Sequence, residues 1–335
     1  MTTDNTFNAF VIRQESGKTT HAIERLSVDD LPKEDVLVAV DYSSLNYKDG
    51  MAVAGVGKIV RSFPMVPGID LAGTVLESAS PLYHPGDKVV LTGWSVGERF
   101  WGGYTQKARV KSEWLVPLAE GMTTKKAMTI GTAGFTAMLC VMTLEEAGVV
   151  PGNGTVLVTG AAGGVGSVAV AVLAKLGYKV AALTAQGQEH THDYLRSLGA
   201  AQIVSGPEWN EAPRPLETQR WVGAVDTVGT KVLARVLAEI DYGGCVANCG
   251  LAGGTDLITT VMPFILRGVS LRGVDSVMCP IPRRKQAWNR LVKDLSDEAL
   301  ALINPKTLSM NDLEAAAKDI VSGKVRGRLV VDVNA

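Results

Sequence analysis

The sequence predicts an α/β protein in which a doubly wound parallel sheet is inserted into a β-rich domain. Two observations carry this prediction. One is the stretch Val156-Leu-Val-Thr-Gly160-Ala-Ala-Gly163-Gly-Val-Gly166, which reads as a buried strand, a glycine turn and the start of a helix. The other is the alternation of strand-length apolar runs with helical periods that follows it, out to about residue 274.

Before that stretch the texture is different. Phe7 to Arg13, Val36 to Tyr42, Leu71 to Glu77, Asp87 to Leu91 and Lys107 to Val110 are short apolar runs punctuated by Gly, Pro and Asp, as in Pro85-Gly-Asp87. They predict a compact, irregular barrel, with one helical period at Asn46 to Met51. Thr124 to Glu146 is rich in Ala, Met, Thr and Leu and is interrupted by Gly131 and Gly134, so two successive helices are expected. In the central region Val156 to Thr159 is β-branched and bounded by glycines, as a parallel strand should be. Val165, Val168, Ala169, Val172, Leu173 and Leu176 then recur at helical spacing, with Gly177 as the stop. Further strands are expected at 179–183, 201–204, 222–226, 243–249 and 269–274, with helices at about 190–198 and 230–239 between them. Arg283 to Leu295 and Asp312 to Val321 read as helices, and Arg328 to Val333 as a closing strand able to pair back onto the first domain.

A glycine turn between a strand and a helix lets backbone N–H groups and the helix N-terminus face a pyrophosphate. That makes residues 160–166 a dinucleotide fingerprint, although Ala162 stands where the textual pattern G-x-G-x-x-G wants glycine. The 33 basic and 34 acidic residues give a net charge of −1, which leaves no footprint for nucleic acid or a membrane surface. No uninterrupted apolar run of the roughly 18 residues that a bilayer demands is present, and the N-terminus is polar. Four cysteines without a C-x-x-C pair fit a reducing compartment, so a cytoplasmic protein is expected.

The chain resembles the zinc-less branch of the medium-chain dehydrogenase/reductase family, in particular its acryloyl-CoA reductases. The motifs that carry the resemblance are Ser43-Ser-Leu-Asn-Tyr-Lys-Asp49, Pro67-Gly-Ile-Asp-Leu-Ala-Gly73, Trp101-Gly-Gly103, Ile130-Gly-Thr-Ala-Gly-Phe-Thr136, Ala224-Val-Asp-Thr-Val-Gly229, Cys249-Gly-Leu-Ala-Gly-Gly254 and Thr260-Val-Met-Pro-Phe-Ile-Leu-Arg267. The Ala-Ala-Gly-Gly-Val-Gly166 form of the turn also matches that branch. The resemblance implies a Rossmann domain over residues 126–295, inserted in a GroES-like catalytic domain formed by 1–125 and 296–335. It further implies NADPH-dependent reduction of an activated C=C bond, a CoA thioester as substrate, and a homodimer. Zinc-dependent relatives need a Cys near Asn46-Tyr47 and a His-Glu pair near Ile69-Asp70; neither is present, so no metal is expected.

Without metal, the reaction needs a hydride donor held against an electrophilic carbon, plus hydrogen bonds for the enolate that develops. By resemblance Tyr47 lies near the nicotinamide and either donates a proton or positions the cofactor, with Asn46 beside it; the residues alone also allow a core tyrosine and a turn residue. Lys48 and Asp49 read as an ion pair. The resemblance also places cofactor contacts at Thr136, Leu251, Ile265, Ser276 and Arg328, while the turn itself offers Ala162, Gly163, Gly164 and Val165. Arg61, Arg283, Arg284 and Arg326 are candidates for CoA phosphates. NAD enzymes place a carboxylate about 20 residues beyond the glycines. Here that strand runs into Thr184-Ala185-Gln186, with no carboxylate, which favours NADPH. The arginines that relatives carry there are absent, leaving Thr184, Gln186, His190, His192 and Arg196 as partners for a 2′-phosphate. Two rival readings remain: a quinone or enone reductase, and a non-catalytic nucleotide-binding protein.

Overall fold

A computed structural model describes residues 5–15, 17–185, 187–304 and 306–335. The chain divides into two compact units, one of residues 1–132, 277–289 and 304–335 and another of residues 133–276 and 290–303.

In the first unit, β1 (Thr6–Glu15) and β2 (Lys18–Ser27) form an antiparallel pair. Then come β3 (Val36–Leu45), helix α1 (Tyr47–Val53), β4 (Asp70–Ser78), β5 (Lys88–Thr92), β6 (Lys107–Val110) and β7 (Val116–Pro117). Helix α2 (Thr124–Glu146) leads out of this unit. It is long and apolar enough to cross a membrane, yet 94% of its apolar window is buried inside the protein. Gly131, at φ 52° and ψ −162°, kinks it into the two helices that the sequence predicts.

The second unit holds β8 (Thr155–Val158), α3 (Gly164–Lys175), β9 (Lys179–Leu183), α4 (His192–Ser197), β10 (Gln202–Val204), β11 (Trp221–Asp226), α5 (Thr230–Glu239), β12 (Ile240–Asn248), α6 (Met262–Arg267) and β13 (Ser270–Gly273). Its six strands are parallel in the order β10-β9-β8-β11-β12-β13. The order reverses between β8 and β11, and such a reversal opens a crevice at the strands' carboxyl ends. Apolar side chains such as Leu157, Ala224 and Val246 fill the interior, as a sheet covered on both faces requires.

Helices α7 (Ile281–Asp294) and α8 (Asp297–Ile303) follow, then β14 (Lys306–Ser309), α9 (Leu313–Val321) and β15 (Leu329–Asp332). β15 pairs antiparallel with β3, Leu329 opposite Leu45, so the chain's last strand completes the seven-stranded sheet begun near its first. Helix α1 lies on α9 because Gly50 has no side chain: a Cβ there would meet the Ala317 carbonyl oxygen at 3.3 Å and overlap Ile320. β2, β7, β14, α6 and α8 are absent from the reading of the sequence. β2 is solvated along most of its length and so carries no apolar alternation to detect.

Candidate active site

The nucleotide turn leaves β8 at Thr159 and enters α3 at Gly164, with Gly163 as the helix's cap residue. A glycine cap has no side chain to satisfy the first N–H groups of α3, so those donors suit an anion. Gly166 lets helix and turn touch: a Cβ there would overlap the Gly160 carbonyl and stand 2.6 Å from the Ala161 Cα. At Gly163 the nearest atom to a Cβ is the Gly160 oxygen at 3.3 Å, which leaves the approach to α3 open. Gly160 takes φ 57°, a left-handed conformation for which glycine is suited.

A buried carboxylate ties this turn to the neighbouring strands. Asp226, at the end of β11, accepts hydrogen bonds from Thr159 Oγ1 (2.7 Å), the Gly229 N–H (2.9 Å) and Asn248 Nδ2 (2.8 Å). It therefore joins the carboxyl ends of β8, β11 and β12. Burial raises its pKa, and these hydrogen bonds oppose the rise. The sequence does contain a signal for it, since a lone Asp closing the apolar run Trp221–Val225 must find partners when buried. Nearby, the Cys140 thiol is raised by its hydrogen bond to Cys249 and by burial.

The expected cofactor residues of this unit are spread along it. Ala162 is buried, while Gly163, Gly164 and Val165 are half-buried at the turn. Thr184 is buried just past β9, its hydroxyl 3.4 Å from His192 Nε2, and Ala185 is exposed. Gln186 lies outside the described residues. His190 is exposed, and Arg196 is occupied by Asp193 at 3.0 Å. Leu251 is 63% exposed and lines a groove of about 590 Å³ with Gly229, Asn248, Gly250 and Gly273, at the carboxyl ends of β11, β12 and β13. Ile265 is 70% exposed on α6, Ser276 is half-buried, and Thr136 is buried in α2.

The first unit contains a dense buried polar cluster. Asp70 opens β4 and accepts from Ser44 Oγ (2.5 Å), Asn46 Nδ2 (2.9 Å), the Thr132 N–H (2.9 Å) and Thr132 Oγ1 (2.5 Å). Arg328 lies 3.9 Å from the same carboxylate and is 3% exposed. Its guanidinium donates to the Thr129 carbonyl (3.1 Å), Asn46 Oδ1 (2.8 Å) and Ser44 Oγ (2.9 Å). Asp49 accepts from the Asn46 N–H (2.9 Å), Asn46 Nδ2 (3.0 Å) and the Ile69 N–H (2.9 Å). Burial and the nearby Asp70 charge push the Asp49 carboxyl up to about 7, against the pull of those hydrogen bonds. Burial also draws the Arg328 guanidinium down, and the Asp70 and Asp49 charges resist this.

Asn46 and Tyr47 thus have different surroundings despite being adjacent. Asn46 caps α1 and is buried, with both amide atoms engaged in the cluster. Tyr47, the first residue of α1, is 49% exposed. Lys48 pairs with Glu98 at 2.8 Å rather than with Asp49, which faces inward. Arg284 is excluded as an exposed phosphate ligand: it is buried, donates to the carbonyls of Cys279, Thr92 and Val277, and stacks over Trp94. Arg61 and Arg326 are exposed and Arg283 is half-buried. Among the described residues no group of three or more His, Cys, Asp or Glu side chains could hold a metal ion.

Two family models match the chain. Residues 32–120 match the alcohol dehydrogenase GroES-like domain, and residues 164–296 match the family described as zinc-binding dehydrogenase. Acrylyl-CoA reductase AcuI of Ruegeria pomeroyi is 59% identical over 98% of this chain and 100% of its own length. The chain belongs to the medium-chain dehydrogenase/reductase family. Within that family, a probable acrylyl-CoA reductase AcuI of Escherichia coli is 56% identical over 97% of this chain and 99% of its own. The yhdH oxidoreductase of Salmonella enterica, solved in complex with NADP, superposes with a TM-score of 0.95 at 56% identity, covering 97% of this chain and 99% of that one. Bacillus subtilis yhfP, solved with NAD bound, superposes at 0.93 with 44% identity over 98% and 99% of the two chains.

Proposed function

We propose that this protein is an NADPH-dependent reductase that converts acryloyl-CoA to propionyl-CoA. The observation that carries the reading is 59% identity, along essentially the whole of both chains, to an acrylyl-CoA reductase. The open α3 N-terminus and the absence of a carboxylate at Thr184-Ala185 support NADPH as its partner. Gly163, Gly164 and Val165 would hold the pyrophosphate, with Thr184 at the ribose end and Leu251, Ile265 and Ser276 toward the nicotinamide.

When bound, NADPH supplies a hydride to the β-carbon of the thioester. The electron pair of the C=C bond then moves toward the thioester oxygen, and the α-carbon takes up a proton. The protein's task is to hold the acyl group, stabilise the enolate oxygen by hydrogen bonding and deliver that proton. Tyr47 is the proposed source of the hydroxyl, since it is half exposed while its neighbour Asn46 is locked in the buried cluster.

The reading extends to a cytoplasmic homodimer. Four free thiols, three of them buried, suit a reducing compartment. β13 leaves one edge of the parallel sheet open, and Ile258, Val261 and Leu266, in the segment leading into it, are all more than half exposed. Exposed apolar side chains gathered in this way mark an interaction surface.

One experiment tests the reading. NADPH oxidation is followed with acryloyl-CoA and with a simple quinone, on protein whose solution mass is measured in the same buffer. Expected are a higher kcat/KM for the thioester, a further loss with NADH, and a mass twice 35.4 kDa. Faster quinone turnover would favour the second reading, a quinone reductase; it is supported by the 44% identity to a putative quinone oxidoreductase, YhfP of Bacillus subtilis. A mass of one chain would remove the dimer.

A further inference from the structure

We infer that Arg328 and Asp70 are positioning residues, and that they act on Tyr47 through Asn46. The inference rests on the proposed role of Tyr47 and adds to it a source of order.

Helix α1 has only seven residues, too few to hold a conformation by its own hydrogen bonds. Its start is fixed from outside. Asn46 has an extended backbone (φ −110°, ψ 165°), as an N-cap requires, and its N–H donates to Asp49 in the first turn. The amide side chain of Asn46 is held on both sides. Nδ2 donates to Ser44, Asp49 and Asp70, and Oδ1 accepts from Arg328. The peptide that joins Asn46 to Tyr47 is therefore anchored by one buried cation and two buried carboxylates.

Arg328 is suited to this role by its shape. Its planar fork reaches three acceptors, the Thr129 carbonyl, Asn46 Oδ1 and Ser44 Oγ, all within the first unit. With its hydrogen-bonding nitrogens turned inward and only 3% of the residue exposed, it faces Asp70 and Asn46 rather than a ligand in solvent. Asp70 in turn gathers Ser44, Asn46 and Thr132, so both the α1 cap and the kink of α2 at Gly131 are referred to one carboxylate. A lysine at 328 keeps the charge but cannot span the same three acceptors.

The test is a double-mutant cycle between Arg328→Lys and Tyr47→Phe, read as kcat, KM and the dissociation constant for NADPH. Arg328→Lys is expected to lower kcat at least tenfold with less than a threefold change in NADPH affinity. In the Tyr47→Phe background the same substitution is expected to cost less than threefold. Equal factors in both backgrounds would overturn the inference, as would a loss of NADPH affinity that accounts for the whole effect. Ser44→Ala, which deletes the oxygen bridging Arg328 and Asp70, is the milder second variant should the lysine variant fold poorly, and the same non-additivity is expected. Hydrogen exchange of the α1 amides separates the two layers. Faster exchange in Arg328→Lys supports the positioning role even if Tyr47→Phe proves fully active, a result that would count against Tyr47 alone. Unchanged exchange in that case overturns both.

Discussion

Alanine at position 131 is expected to destabilise the first unit by roughly 3 kcal/mol or more, from backbone strain and overpacking together. Gly131 combines a positive φ of 52° with ψ −162°, a region that residues bearing a Cβ avoid. A Cβ there would also overlap Arg328 Nη2 and stand 2.7 Å from Asp70 Oδ2 and 2.9 Å from Ser44 Oγ. The kink and the cluster are thus one feature: the bare glycine lets the Thr132 N–H reach Asp70. Denaturant unfolding of Gly131→Ala beside Gly121→Ala gives the comparison. Gly121 has a similar φ of 79° but nothing within 4 Å of a Cβ. If the two variants lose the same stability, the close approach at Gly131 has no energetic weight.

Gly166→Ala is expected to weaken NADPH binding by at least about 100-fold, near 2.7 kcal/mol. The added methyl overlaps the Gly160 carbonyl and the Ala161 backbone, so either the turn opens or α3 moves away. Both displace the donors proposed for the pyrophosphate. Gly163→Ala makes the useful contrast, because its Cβ meets only the Gly160 oxygen at 3.3 Å and the fold accommodates it. Titration of cofactor fluorescence reads both variants. Wild-type affinity in Gly166→Ala would show that this turn is not the phosphate site.

The parallel sheet was legible because its signal is local. Val156 to Thr159, the glycines and the period through Leu176 lie within about 20 residues, and each later strand is bounded by its own turn residues. The buried cluster was not legible in the same way. Ser44 and Arg328 are 284 positions apart and meet because β15 pairs with β3, with Val330 opposite Ser44. No spacing rule announces a register between the two ends of a chain. The resemblance marks Arg328 as a cofactor-side residue, but nothing in the sequence names its hydrogen-bond partners Thr129, Asn46 and Ser44. Lys48 and Asp49 are adjacent in sequence and invite pairing, but successive residues at the start of a helix point apart, so one reaches Glu98 and the other the interior. Asp226 shows the reverse case, where a carboxylate ending an apolar strand was visible but its three partners were not.

Two of the buried carboxylates, Asp49 and Asp226, take up protons on folding. Asp49, raised to about 7, stays protonated in the folded chain where an unfolded one, with a pKa near the ordinary ~3.9, has already released its proton. Asp226 is displaced in the same direction. Their contribution to stability is full below about pH 4 and is lost as pH rises through the folded value, by up to about 1.4 kcal/mol per pH unit for each proton. Subtracting the unfolding free energy of Asp49→Asn from that of the wild type isolates the share of Asp49, which is expected to fall between pH 5 and 7 and level off above. A difference that stays flat across that range would mean that Asp49 does not titrate there. Mild acid, rather than mild alkali, is then the condition in which the Asp49 contribution to stability is largest.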